Sequence, residues 1–287
     1  MERVDAHCHF WDPGRGHYHW LNTGPAALDP LRRVCAPGDL ARLNATSPVV
    51  VVQAADVLDE TRYLLDLTAA NPQILGVVGW VDLADPASAD TLHSFAAHPK
   101  FKGIRPMLQD LAQDDWIATR PAPASVQALQ DLGLRFDALV LRRHLGPLLG
   151  FAQAWPDLPI VIDHCAKPVL DGSGPVEPEW RDGLAALAAR ETVHCKLSGL
   201  LTELPATLRS PDLAFQALKP VVDLVIDLFG PSRLMWGSDW PVLTLAADHA
   251  AWGALTDRLL DDLNEAERTA ILGNTARRFY GLEGSDG

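Results

Sequence analysis

The sequence predicts an α/β protein of (β/α)8 TIM-barrel class, and three observations predict it. Eight short β-rich apolar runs are spaced along the chain. Longer amphipathic stretches separate them, the alternation that builds parallel sheets. The 287 residues match the roughly 250 that one closed barrel needs. We therefore expect one barrel domain over residues 1–287. An open doubly wound sheet is the runner-up, but no GxGxxG follows the first run, which weighs against it.

In chain order the expected strands are Val4–His9, Val49–Gln53, Leu75–Val81, Gly103–Met107, Leu134–Leu139, Ile160–His164, Val193–Ser198 and Leu234–Asp239. Several are nearly continuous apolar runs, as strands covered on both faces should be. Helical patterns lie between them. Glu60–Ala70 gathers Leu64, Leu65 and Leu67, and Arg142–Trp155 gathers Leu145, Leu148, Leu149 and Phe151. Trp180–Ala189 and Pro220–Phe229 repeat the pattern. Asp82 and Asp85 before Pro86, and Ser210 before Pro211, resemble helix starts. The tail Leu263–Phe279 adds two helical segments, expected to pack outside the barrel. Phe10–Pro37 is long and irregular, and a loop of that length after a first strand is more often functional than decorative.

Composition narrows the function classes. The formal net charge is −13. It repels nucleic acid and anionic membrane surfaces, so neither is an expected partner, and it leaves oligomeric state open. Cys8, Cys35, Cys165 and Cys195 form no CxxC pair and read as reduced, buried thiols of a cytoplasmic protein. The chain opens directly on a strand rather than a signal peptide, and no apolar run approaches the roughly 18 residues needed to span a bilayer.

In such a barrel the active site is built at the C-terminal ends of the strands. The first strand ends Asp5-Ala6-His7-Cys8-His9, and residues two apart share a face. Two histidines on one inward face can ligate a metal or polarise a carbonyl. The same pair also serves as hydrogen-bonded core histidines. Strand six ends in Asp163-His164 and strand eight in Ser238-Asp239-Trp240, so His7, His9, His164 and Asp239 are expected to converge on one rim. Arg105 on strand four suits a carboxylate or a developing oxyanion, or a salt bridge on the rim. Lys167 and Lys196 are either pocket residues or structural ion-pair partners. Trp11, Trp80 and Trp240 offer apolar walls, or core.

These residues sit in blocks that are recognisable together: VDAHCHFWDP (4–13), VVQAADVLDETRYLL (51–65), GVVGWVDL (76–83), FKGIRP (101–106), GLRFD (133–137), LPIVIDHCAKP (158–168), CKLSGL (195–200), RLMWGSDWPV (233–242) and GNTARRFY (273–280). In this order they resemble the amidohydrolase superfamily, in its branch of lactonases with L-fuconolactonase-like, L-rhamnono-lactonase and 2-pyrone-4,6-dicarboxylate lactonase members. The resemblance runs along nearly the whole chain. It implies a barrel that hydrolyses the lactone of a sugar acid or related small acid, with His7, His9, His164 and Asp239 on the superfamily's site positions. Metal-rich members place a lysine or glutamate on strand four and a histidine on strand five. Here those strands offer Arg105, and Phe136 with Asp137, which argues against a two-metal centre. The expected cofactor is therefore none, or one divalent ion held by His7, His9, His164 and Asp239, with zinc suited to three nitrogens and an oxygen.

Lactone hydrolysis needs an activated water, a stabilised oxyanion and a proton for the leaving alkoxide. Asp239 is the expected base, the histidines the polarising groups, and Arg105, Lys167 and the three tryptophans the substrate contacts. Two rivals follow from the same residues: a metal-dependent decarboxylase of the superfamily, and a barrel that binds without catalysis.

Overall fold

A computed structural model describes residues 3–43, 47–171 and 177–282. Its eight strands are β1 (Asp5–Cys8), β2 (Val49–Val52), β3 (Ile74–Gly79), β4 (Phe101–Ile104), β5 (Arg135–Ala138), β6 (Ile160–Ile162), β7 (Val193–Leu197) and β8 (Leu234–Trp236). They pair in parallel in sequence order. Closure comes from the segment just after β8. Cys8 bridges Trp240, the His9 N–H donates to the Trp240 carbonyl at 2.7 Å, and the Asp239 N–H donates to the His7 carbonyl at 2.8 Å. The (β/α)8 barrel that the sequence predicts is the fold observed.

Outer helices follow the strands: α1 (Pro37–Arg42), α2 (Leu58–Leu67), α3 (Ser88–Ala96), α4 (Pro123–Asp131), α5 (Leu145–Ala154), α6 (Pro178–Ala188), α7 (Pro211–Phe229) and α8 (His249–Leu259). The two-residue period of the strands divides the core. Val49, Val51, Ile160, Ile162, Leu234 and Trp236 join the large cluster under the helices. Val50, Val52, Val78, Val161 and Met235 belong to a second, smaller cluster. All four cysteines are buried and unpaired. Among the described residues no helix is long and apolar enough to cross a membrane.

Three expectations need correction. Helix α7 starts at Pro211, nine residues before Pro220, which sits inside it. Proline costs a helix one hydrogen bond but does not always end it, and Val221, Val222 and Val225 still bury one face. The tail does not pack only on the outside. Asn264 and Glu267 cap its first helix reciprocally, each backbone N–H donating 3.0 Å to the other's side chain. Its last helix then brings Phe279 and Tyr280 into the smaller cluster, and the Tyr280 hydroxyl donates to Asp137 on β5 at 2.8 Å. Finally, β6 stops at Ile162 and β8 at Trp236, short of His164 and Asp239.

The reason is backbone geometry. His164, Cys165, Ala166 and Lys167 all have φ between 49° and 57°, and Asp239 has φ 58°. Left-handed conformations cost L-residues roughly 1–2 kcal/mol each, and a strand cannot continue through them. The chain turns sharply at both strand ends, a pattern that gathers at functional sites where surrounding contacts hold it.

Candidate active site

The site is assembled from the ends of β1, β6 and β8. His9 is fixed by its Nδ1 at 2.7 Å from the Val52 carbonyl, which leaves Nε2 3.3 Å from Asp239 Oδ1. The same carboxylate oxygen lies 3.8 Å from His7 Nε2 and 3.9 Å from His164 Nε2. His164 is held from behind, its Nδ1 2.8 Å from the Ser198 hydroxyl. All four groups that the sequence placed on one rim therefore converge on a single carboxylate oxygen. Burial is nearly complete for each, at 4% exposure or less.

Gly199 makes the approach of His164 feasible. Its φ is +63°, and a Cβ there would stand 2.6 Å from His164 Nδ1. Only glycine accepts both the left-handed backbone and the contact.

Electrostatics separates the groups. Burial drives the His7 imidazole well below the usual histidine range, and the nearby Lys196 adds to it. Burial likewise holds His164 well below that range. Both are neutral at pH 7. Burial works to raise the Asp239 carboxyl, but His164, His9 and Lys167 outweigh it and keep it below the usual value, so it is ionised. A neutral imidazole pair around a charged carboxylate suits a base with polarising neighbours.

Beneath the rim lies a charged layer. Lys196 is fully buried, with its ammonium 2.5 Å from Asp137, 3.0 Å from Asp163 and 3.1 Å from His7 Nδ1. Arg105 is also buried. Its guanidinium donates to the Gln53 carbonyl and lies 3.8 Å from Asp163 and 3.5 Å from His7 Nε2. Burial pushes the Asp137 carboxyl up to about 6, against the pull of Lys196. Asp163 is held low: Lys196, His164 and Arg105 overcome its burial. Lys196 thus carries the ion-pair role that the sequence left open. Asp163 and Tyr280 complete the layer. The sequence offers Asp163 only as the residue before His164, and Tyr280 only as the end of the GNTARRFY block.

A cavity of about 230 Å³ opens above Asp239. Its lining includes His9, Arg105, His164, Lys167 and Asp239 as catalytic-face residues, Gln109 and Asp110 as further polar groups, and Trp20, Leu28, Leu139 and Val242 as apolar wall. Of the substrate contacts that the sequence offers, Arg105 and Lys167 line this cavity, and Trp11, Trp80 and Trp240 are not in its lining. Trp11 is fully buried behind the wall, stacked on His9 with ring centroids 6.2 Å apart, and its indole N–H donates to the Leu31 and Arg33 carbonyls. Trp240 is buried against Phe10, and Trp80, whose backbone N–H donates to the Thr61 hydroxyl, is not among the lining residues. The aromatic wall is Trp20, whose indole N–H donates to the Ala54 carbonyl at 2.8 Å. It comes from the long loop after β1, which the sequence singled out as functional without indicating which ring would face inward.

His7, His9 and Asp239 offer two nitrogens and an oxygen within 4.8 Å of one another. That donor set fits one zinc ion. His164 stands beside this trio, bonded to Ser198.

Comparison with known proteins identifies the family. The amidohydrolase family model matches residues 4–282. An L-fucono-1,5-lactonase from Burkholderia ambifaria is 44% identical, over 99% of this chain and 97% of its own. An L-fucono-1,5-lactonase from Burkholderia multivorans is 36% identical, over 98% and 96%. The crystal structure of a Burkholderia multivorans amidohydrolase with bound zinc superimposes with a TM-score of 0.90 at 34% identity, covering 99% of this chain and all of the other. By sequence and by fold the chain belongs to the amidohydrolase family.

Proposed function

We propose that the chain hydrolyses the lactone of a sugar acid, with L-fucono-1,5-lactone or a close six-membered relative as substrate. The observation that carries this reading is the ionised Asp239 carboxylate, ringed by His7, His9 and His164 at the floor of a cavity of sugar-ring size. The names of the two Burkholderia relatives support the substrate. Apolar Leu28, Leu139 and Val242 beside polar Gln109 and Asp110 suit a deoxy sugar, which carries a methyl group and hydroxyls on one ring.

Asp239 removes a proton from water, and the water oxygen bonds to the lactone carbonyl carbon. The carbonyl oxygen takes up the negative charge, stabilised by His164 and the Arg105 guanidinium. When the intermediate collapses, the bond from the carbonyl carbon to the ring oxygen breaks. Asp239 returns its proton to that oxygen, giving the open hydroxy acid. Lys167 and Arg105 hold the ring's polar edge, and Trp20 holds its apolar face. When a zinc ion is bound, His7, His9 and Asp239 would hold it, and it would supply Lewis-acid polarisation.

The test is a pH-indicator assay of acid release from L-fucono-1,5-lactone, other sugar-acid lactones, and δ-valerolactone. Turnover concentrated on the sugar lactones supports the proposal. Absence of acid release across the panel, or CO2 release from aromatic acids instead, overturns it.

A further inference from the structure

The turn that carries His164 is held from outside the site. Its four consecutive left-handed residues, His164 to Lys167, include no glycine. Such a run is not self-sustaining and persists only where its surroundings over-determine it. Two of its members reach the cavity, His164 from one end and Lys167 from the other. Between them the backbone points outward, and there Trp180 of α6 meets it. The indole N–H donates 2.8 Å to the Cys165 carbonyl, and the whole side chain is buried. On the inner side the Cys165 thiol lies 3.3 Å from the Lys196 carbonyl.

We infer that Trp180 is a positioning residue: its indole N–H locks the left-handed turn and thereby sets His164 and Lys167 together against the lactone. The inference rests on the lactonase reading for its kinetic consequence. Its structural part stands apart from that reading. Removing the N–H leaves a buried carbonyl without this donor and lets the turn relax toward ordinary backbone. Both His164 and Lys167 then drift, and small misplacements of reacting groups are costly in rate.

Trp180→Phe keeps the ring and removes the donor. We expect kcat to fall about tenfold and KM to rise severalfold, because one turn carries a polarising group and a binding group. Amide hydrogen exchange across residues 163–168, followed by mass spectrometry, should speed up while the melting temperature shifts little. The discriminating variant is Ala166→Gly in the Trp180→Phe background. Glycine adopts left-handed backbone without steric cost, so it should restore at least threefold in kcat and slow the exchange again. A merely structural tryptophan would gain nothing from a glycine in the turn. Wild-type kcat, KM and exchange in Trp180→Phe would overturn the inference, as would a loss that Ala166→Gly fails to restore. If the wild-type chain opens no lactone, the exchange experiment still decides the positioning claim, and it is the lactonase reading that fails.

Discussion

Replacing Lys196 with methionine removes a cation that touches Asp137, Asp163 and His7 at once. All these groups are fully buried or nearly so. At an effective dielectric of about 20, a pair of unit charges 3 Å apart is worth about 5 kcal/mol before desolvation. Breaking a buried pair by removing one partner costs about 3–5 kcal/mol, because the other charge stays behind. With two carboxylates left, the upper part of that range applies at pH 8. In urea, with a slope near 3 kcal/mol/M, the unfolding midpoint should drop by on the order of 1 M. The deficit should depend on pH with a defined sign. Asp137 already sits near 6 with the lysine present, and losing the lysine raises it further. At pH 5 it is protonated in the variant, its charge is gone, and the deficit should shrink. Lys196→Met with Asp137→Asn should recover part of the loss at pH 8. A midpoint within about 0.2 M of wild type at pH 8 would show that Lys196 does not hold the buried carboxylates, and so would a deficit equal at pH 5 and pH 8.

Other outcomes follow from single contacts. Glu60 accepts from the Ala54 and Ala55 N–H groups, yet burial pushes its carboxyl up to about 7. A raised carboxyl contributes fully below its unfolded value and loses that contribution as pH climbs through the folded one. From the ordinary 4.5 to about 7 this amounts to roughly 3 kcal/mol, so Glu60→Gln should gain on wild type between pH 5 and 8 in thermal melts. An unchanged gap across that window would count against the buried-acid reading. Gly199→Ala forces a Cβ to within 2.6 Å of His164 Nδ1; kcat should fall at least tenfold while far-UV circular dichroism stays native. Trp20→Ala should raise KM for a sugar lactone about tenfold with kcat within threefold, and an unchanged KM would remove Trp20 from the binding surface.

Much of this architecture was legible in the sequence because two periodicities do not depend on detail. Alternation by two placed His7 and His9 on one face, and the rule that barrel sites form at C-terminal strand ends joined them to His164 and Asp239. What escaped is what local preference does not encode. Nothing in Cys165-Ala166-Lys167 favours left-handed backbone, and tertiary contacts such as that with Trp180 hold it, so β6 ends two residues before the expected His164. Trp20 lies in a stretch whose sequence shows no period, although the structure forms a short helix there (His19–Thr23), and nothing in that stretch indicates which tryptophan faces the cavity. The pairing of Lys196 with Asp137 and Asp163 spans 59 and 33 positions and depends on barrel closure. A tail that follows the last strand is expected outside the barrel, whereas Tyr280, just beyond it, reaches Asp137.

In the proposed mechanism the Asp239 carboxylate activates the attacking water. Asp239→Asn keeps the size and a polar atom toward His9 but cannot accept the proton. Steady-state hydrolysis of L-fucono-1,5-lactone tests it most directly. kcat should fall at least about 10²-fold, the lower range for a general base, with KM little changed and the fold intact. A variant that opens the lactone at near wild-type kcat would contradict it.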